Sequence, residues 1–327
     1  MLASFGLLIT ACTGVQQNPS SSEQSAGPSA SGGGTATGGT VRIGTAGYPD
    51  SLNPGNGLLS EAYTMYELVY DTPISVNSSG EYVPELASEW SASDDGLTWT
   101  MKIIEGVTFH DGEPLTAEDV AYSLQLYKDT EDFPFLPSYA SNFETIEATD
   151  DTTVTLTTAE PLGNFEANMT FIYVLPKHIW EAEADAVEFE NAEMIGSGPF
   201  KLVEAVQGES VELAANTDYW GTKPNVDGVI FQKFANADAR ITALTTGDID
   251  AVTEFPATAV SALQNAENVE VHIADVAAGG SLRDIILNVV ADVACPADGG
   301  VCSGHPALKD LAVRQALAYA TDKQQII

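Results

Sequence analysis

The sequence predicts an α/β fold, and three observations point to it. β-branched segments at 153–158 and 210–215 have the composition of strands. Leu97-Thr98-Trp99-Thr100-Met101-Lys102-Ile103 alternates with the period of two expected of a half-buried strand. Between such segments lie stretches of helical spacing, bounded by start and stop signals. Strands and helices mixed in this way belong to α/β proteins, and no internal repeat divides the chain.

The elements follow in order. Val41-Arg42-Ile43-Gly44 reads as the first strand, and the turn-rich Gly47-Tyr48-Pro49-Asp50-Ser51-Leu52-Asn53-Pro54 follows it. Residues 60–70 read as a helix. Thr116 is an N-cap with Glu118 and Asp119 in the first turn, and Val120, Leu124 and Tyr127 share one face of the helix it opens. A helix over 237–246 stops at Gly247, before a strand at Ile249-Asp250-Ala251-Val252. Val269-Glu270-Val271-His272-Ile273 and Ile285-Ile286-Leu287-Asn288-Val289 are predicted as further strands.

Pro306 and Asp310 open a helix whose inward face is Val313, Ala316, Leu317 and Ala320. Asp322, three residues before Gln325, has the spacing of a capping box for another helix. The sequence stops at Ile327, about one turn into that helix, and one turn is not stable alone. A truncated chain is therefore expected, lacking a substantial domain.

The chain has 327 residues, room for about two domains. Its hydrophobic fraction of 44% suffices for a core. Twelve Lys and Arg face 47 Asp and Glu, a formal net charge of −35. Such a surface repels phosphate backbones and anionic headgroups, which argues against nucleic acid and against membrane-surface binding. Solubility outside the cell accounts for the charge without a cationic ligand.

Cysteines stand at 12, 295 and 302. Leu7-Leu8-Ile9-Thr10-Ala11 is too short to span a bilayer but fits the apolar region of a signal peptide, although no Lys or Arg precedes it. Ile9-Thr10-Ala11-Cys12 resembles a bacterial lipobox, which implies a lipid on Cys12 as the membrane anchor. Residues 13–40 are rich in Ser, Gly, Gln, Thr and Pro and contain no aromatic residue, so they read as a linker. As a flexible coil it would span roughly 30 Å. Its glycines are followed by no Lys-Ser or Lys-Thr pair, so a phosphate loop is set aside. Cys295 and Cys302 bracket a turn-rich loop and are expected to form a disulfide, the other reading being a zinc pair with His305.

A set of segments carries a family resemblance. Ser51-Leu52-Asn53-Pro54 comes first, then Pro84-Glu85-Leu86-Ala87-Ser88-Glu89-Trp90 and Asp94-Asp95-Gly96-Leu97-Thr98-Trp99. Val107-Thr108-Phe109-His110-Asp111-Gly112 and Leu115-Thr116-Ala117-Glu118-Asp119-Val120 follow. Gly196-Ser197-Gly198-Pro199-Phe200, Tyr219-Trp220-Gly221-Thr222-Lys223-Pro224 and Val313-Arg314-Gln315-Ala316-Leu317 close the set. In that order they resemble the family-5 extracellular solute-binding proteins of ABC importers, which include dipeptide, oligopeptide and nickel receptors.

The resemblance implies a two-lobed, type II periplasmic-binding-protein-like fold that closes over its ligand. The first lobe would comprise 41–74 and 195–283, with an extra subdomain over 75–194. Residues 284–327 would hold the crossing strand and the start of a second lobe that is largely missing. It implies no enzyme and no cofactor, but a monomeric receptor on the extracytoplasmic face that passes a peptide or other small solute to permease subunits. An oligosaccharide or chelate receptor and a non-transporting sensor are the other readings.

Ligands of open α/β sheets lie where strands end, so Gly47 and Tyr48, after the first strand, are candidate contacts, an ordinary turn being the other reading. Ser138-Tyr139-Ala140-Ser141 resembles a segment lining the peptide site of oligopeptide receptors, which adds Tyr139, against the reading of a surface aromatic. His110-Asp111 is a structural turn in the family, and no second ligand stands beside it, so no metal is expected. Tyr219-Trp220 reads as core and turn. Ser197 lacks the spacing of a nucleophile elbow and has no evident base.

Overall fold

The computed structural model describes residues 38–266, 268–272 and 306–320. Those up to 272 belong to one compact unit and 306–320 to another, and each is taken by itself. Cys12, Cys295, Cys302, His305, the 285–289 segment and Asp322–Gln325 lie outside the described residues.

The first sheet is built around β1 (Thr40–Thr45). It pairs in parallel with β10 (Gly228–Lys233) on one side and with β11 (Ala251–Val252) on the other. Antiparallel β9 (Ser210–Ala215) and β8 (Phe200–Val206) extend it, giving the order β11-β1-β10-β9-β8. A parallel connection needs a crossover, and α6 (Ala237–Thr246) supplies it between β10 and β11. Asn236 caps α6 by accepting from Ala239 N–H, and Gly247 ends it at φ +81°, a left-handed conformation that glycine adopts without steric cost. The anchored chain takes in the end of the linker segment, because Gly39 N–H donates to Asp227 Oδ2 at 2.7 Å.

The chain leaves this sheet through α1 (Ser60–Val69). It then forms the ribbon β2 (Ile74–Val76) and β3 (Tyr82–Pro84), and a second, antiparallel sheet. That sheet has the order β4-β5-β7-β6, from β4 (Ala87–Ala92), β5 (Thr98–Ile103), β6 (Phe143–Asp150) and β7 (Thr153–Thr158). Helix α2 (Ala117–Asp129) packs across β6 and β7. Val120, Leu124 and Tyr127 on its inward face are fully buried, as their spacing predicts. Short helices α3 (Pro137–Ala140), α4 (Phe165–Met169) and α5 (Lys177–Trp180) complete this part. Phe165 stacks on Trp99 at 4.0 Å between ring centroids. One hydrophobic cluster runs from Ile43, Leu213 and Phe231 in the first sheet to Met101, Leu156 and Leu124 beside the second.

The start of α2 is a complete capping box. Thr116 Oγ1 accepts from Glu118 N–H at 3.3 Å, and Asp119 Oδ2 accepts from Thr116 N–H at 2.9 Å. Thr116→Ala is expected to cost about 1 kcal/mol, read as a lower urea midpoint at unchanged slope.

Two expectations are corrected. Residues 269–272 form no strand, because an alternating segment becomes one only where an open sheet edge accepts it, and none pairs with it among the described residues. Helix α7 (Leu311–Ala320) follows a 3₁₀ turn at Pro306–Lys309, as predicted, but three residues of its expected inward face are not fully buried. Val313 is half-buried, while Ala316 and Leu317 are exposed. Apolar spacing identifies a helix without supplying the surface that covers it.

Candidate ligand-binding surface at the end of strand β1

Strand β1 delivers the chain into the loop 46–59, which a series of side-chain hydrogen bonds holds in place. Thr45 Oγ1 donates to Gly47 O at 2.8 Å as the chain leaves the strand. The Asp50 carboxylate accepts from Leu58 N–H at 2.8 Å and Leu59 N–H at 3.1 Å, which closes the loop onto the start of α1. Buried Asn53 donates to the carbonyls of Ala186 and Phe189, both at 2.8 Å, and accepts from Gly55 N–H. Asn191 reaches back from that segment to Leu52 O and Tyr70 Oη. These bonds explain why Ser51-Leu52-Asn53-Pro54 carries a recognisable pattern: its side chains replace the backbone partners that an irregular segment lacks.

Of the candidate residues, Gly47 lies against the first half of α1. The space beside the Gly47 α-carbon is held by the Glu61 carboxylate, since a Cβ there would lie 2.6 Å from Oε1. Tyr48 is half-buried against the core, and burial raises its hydroxyl pKa. Tyr139, on α3, is also half-buried, with its hydroxyl raised by burial, and its ring stacks on Phe171 at 4.6 Å and 8°. Tyr63 on α1 has a hydroxyl pushed up to about 12, by burial first and then by nearby Tyr139 and Asp50. Helix α1 thus carries Glu61 against Gly47 and Tyr63 towards Tyr139. Leu58, Leu59 and Phe135 are exposed, at 57%, 45% and 46%. The loop after β1 thus presents exposed Leu58 and Leu59 beside the Asp50 carboxylate that accepts from their backbone, and the candidate tyrosines, raised by burial, are neutral at pH 7.

Behind it lies a buried polar cluster that the sequence reading did not assemble. Asp71, just beyond α1, is 1% exposed. Its Oδ1 accepts from Tyr219 Oη at 2.9 Å, and its Oδ2 accepts from Ser197 Oγ and Trp220 Nε1, both at 2.8 Å. Ser197 is therefore a donor to a structural carboxylate rather than a nucleophile. His110 clamps the same crossing from the other side. Its Nε2 donates to Gly198 O at 3.0 Å and its Nδ1 accepts from Gly196 N–H at 3.3 Å. Burial pushes the imidazole down to about 4, so it is neutral at pH 7. Asp111 pairs with His178 at 2.9 Å. Both residues of the turn have structural partners, and among the described residues no three His, Cys, Asp or Glu group as a metal site. A signal for Asp71 was present, an acid ending the apolar run Leu68-Val69-Tyr70, but its partners lie far along the chain.

Comparison with known proteins decides the family. The model of bacterial extracellular solute-binding proteins, family 5, matches residues 81–327, more than half of the chain. The chain belongs to the family-5 bacterial extracellular solute-binding proteins. Members of this family bind solutes and are not enzymes. Among curated relatives, the oligopeptide-binding protein AppA of Bacillus subtilis is 29% identical over the whole of this chain and 57% of its own length. A putative ABC transporter peptide-binding protein of Brucella ovis is also 29% identical, over 90% of this chain and 53% of its own. This chain spans about half the length of the curated relatives it matches.

Among solved structures, AppA in complex with a nonapeptide is 28% identical at a TM-score of 0.66, covering 71% of this chain and 47% of that one. NikZ from Campylobacter jejuni in complex with Ni(L-His) is 25% identical at 0.70, covering 88% and 54%. The family-5 fold here is that of the type II periplasmic binding proteins, of which this chain spans part. No helix among the described residues is long and apolar enough to cross a membrane.

Proposed function

We propose that this protein captures a peptide-like solute outside the cytoplasm and delivers it to the permease of an ABC importer. The observation that carries this reading is the match along the whole chain to an oligopeptide-binding relative. The exposed aliphatic residues Leu58 and Leu59 at the end of the loop after β1 agree with it, since peptide side chains vary and apolar contacts accept many of them. Gly47, Tyr48 and Tyr139 are the proposed contacts. A solute that touches two lobes binds the closed form better, and so shifts the population towards the shape the permease reads.

The proposed organisation follows the family. Residues 41–74 and 195–283 form the first lobe, 75–194 an extra subdomain, and 284–327 the crossing and the start of a second lobe. Cys12 carries a lipid, 13–40 is the leash, Cys295 and Cys302 form a disulfide, and the receptor works as a monomer. Support for the anchor is the Ile9-Thr10-Ala11-Cys12 pattern and the linker composition after it.

A second reading, a receptor for a metal chelate, is favoured by the likeness to NikZ with its bound nickel–histidine. A thermal-shift screen of the full-length protein without lipid separates the two, because ligands stabilise what they bind. Peptides alone are expected to raise Tm, and a rise with chelates or sugars alone would remove the peptide assignment. With the binding peptide in hand, Tyr139→Ala is expected to weaken affinity about tenfold, equivalent to about 1.4 kcal/mol, by calorimetry. An unchanged Kd would take Tyr139 out of the site.

A further inference from the structure

Among the described residues one Lys or Arg is buried, and it is paired with no carboxylate. Arg240, the fourth residue of α6, is 6% exposed. Its Nη2 donates to Glu254 O at 2.9 Å, and its Nε, shut off from solvent, has no hydrogen-bond partner. The ion pairs among the described residues are Arg42–Asp250, Lys177 with Glu118 and Glu181, His178–Asp111 and His272–Glu270. Asp238, two residues before Arg240, and Glu254 itself are exposed and form no ion pair with it. The chain has 47 Asp and Glu, so this isolation is not for want of acids. A guanidinium stays charged in proteins, so burial cannot be relieved by loss of a proton. It carries five N–H donors in a planar fork that fits the two oxygens of a carboxylate.

Arg240 sits at the edge where open α/β sheets receive their ligands. Strands β10, β1 and β11 run parallel, so the chain leaves all three at one edge. Thr45 lies level with Lys233 and Gly44 with Val252, which puts the exit of β1 between the other two. One outer exit leads through Asn236 into α6, the other carries Glu254, and Arg240 ties them together. Gly47 and Tyr48 stand on the middle exit. The edge suits an anion in two further ways. Helix α6 begins there, and the opening N–H groups of a helix favour negative charge. Lys233, exposed at the end of β10, adds a cation. Glu61 beside Gly47 opposes them, but it forms no ion pair with Arg240.

We propose that Arg240 binds a carboxylate of the solute, the one at the C-terminus of a peptide. This rests on the peptide reading given above. Side chains differ from peptide to peptide, but every unmodified peptide ends in a carboxylate, so that group suits a cation fixed in place. The Glu254 carbonyl does the fixing, since it holds one arm of the guanidinium to the loop after β11 and leaves other donors for the ligand. Burial makes the pairing strong. A cation already withdrawn from solvent gains more from a carboxylate than an exposed one, whose attraction solvent and salt screen. The guanidinium therefore discriminates between a solute that ends in a carboxylate and one that ends in a neutral group.

The test uses the full-length protein without lipid and a peptide that raises its Tm, supplied as the free acid and as the C-terminal amide. By calorimetry the unsubstituted protein is expected to bind the amide about tenfold more weakly than the acid. In Arg240→Gln the two forms are expected to bind within about twofold of each other. The acid-to-amide ratio is the readout, so a general loosening of the loop after β11 does not imitate the result. Should Arg240→Gln fail to fold, Arg240→Lys decides, because it keeps a charge but not the fork, and its ratio is expected to fall several-fold. Equal binding of acid and amide by the native protein, or the same ratio in native and variant, would overturn the assignment of Arg240 and leave the peptide reading in place. A screen in which no peptide raises Tm would remove both.

Discussion

Asp71→Ala is expected to be the most damaging side-chain truncation in this protein. The substitution removes one buried acceptor group and takes the partner from three donors, on fully buried Ser197 and half-buried Tyr219 and Trp220. A buried donor without a partner costs about 1–3 kcal/mol, so with the two half-buried donors and the cavity added the loss is expected to reach about 4 kcal/mol. That is comparable with the whole stability of many domains, about 5–15 kcal/mol. The variant is expected to be insoluble, or to unfold at low urea with lost near-ultraviolet dichroism. Ser197→Ala removes a single donor and leaves the carboxylate two others, so a cost of about 1 kcal/mol is expected. Equal losses in the two variants would show that the cluster does not act through Asp71.

Gly196→Ala is the second large effect. A Cβ at 196 would run into the Val69 carbonyl and lie 2.8 Å from the Tyr70 ring. Val69 cannot give way easily, because it ends α1, is fully buried and accepts from Gly198 N–H at 2.9 Å. Nor can 196 retreat, since its N–H and carbonyl are both bonded to His110. Forcing a methyl group into such a site costs about 1–3 kcal/mol or more. Gly163→Ala is the matched control, with nothing within 4 Å of the added carbon. Urea midpoints should separate the two clearly. If Gly196→Ala is as stable as the control, the tight crossing described here does not exist in solution.

Local rules made much of this fold legible. Strands β5, β7 and β9 announced themselves by alternation or β-branching, and α2 by a Thr-led cap followed by three apolar residues on one face. α6 was readable from its glycine stop. These features depend on residues a few positions apart, so a short window contains the whole cause. Strands such as β4, with Glu89 and Ser91 exposed, and β8, with Val203 exposed at 56%, break the alternation and were passed over. The candidate surface was half legible: the loop after β1 followed from a general rule about strand ends, whereas Glu61 and Tyr63 reach it only because α1 folds back across it.

By itself the sequence determined the α/β class, the order of its clearest elements, the family and the acidic character of the surface. Tertiary structure alone decided that β1 lies between β10 and β11, and that Asp71 meets Trp220 across 149 residues. The physical reason is range. A helix or strand pattern is a property of neighbours in the chain, while a buried carboxylate is tolerated only where distant donors arrive together, and no short window of sequence records which of them will.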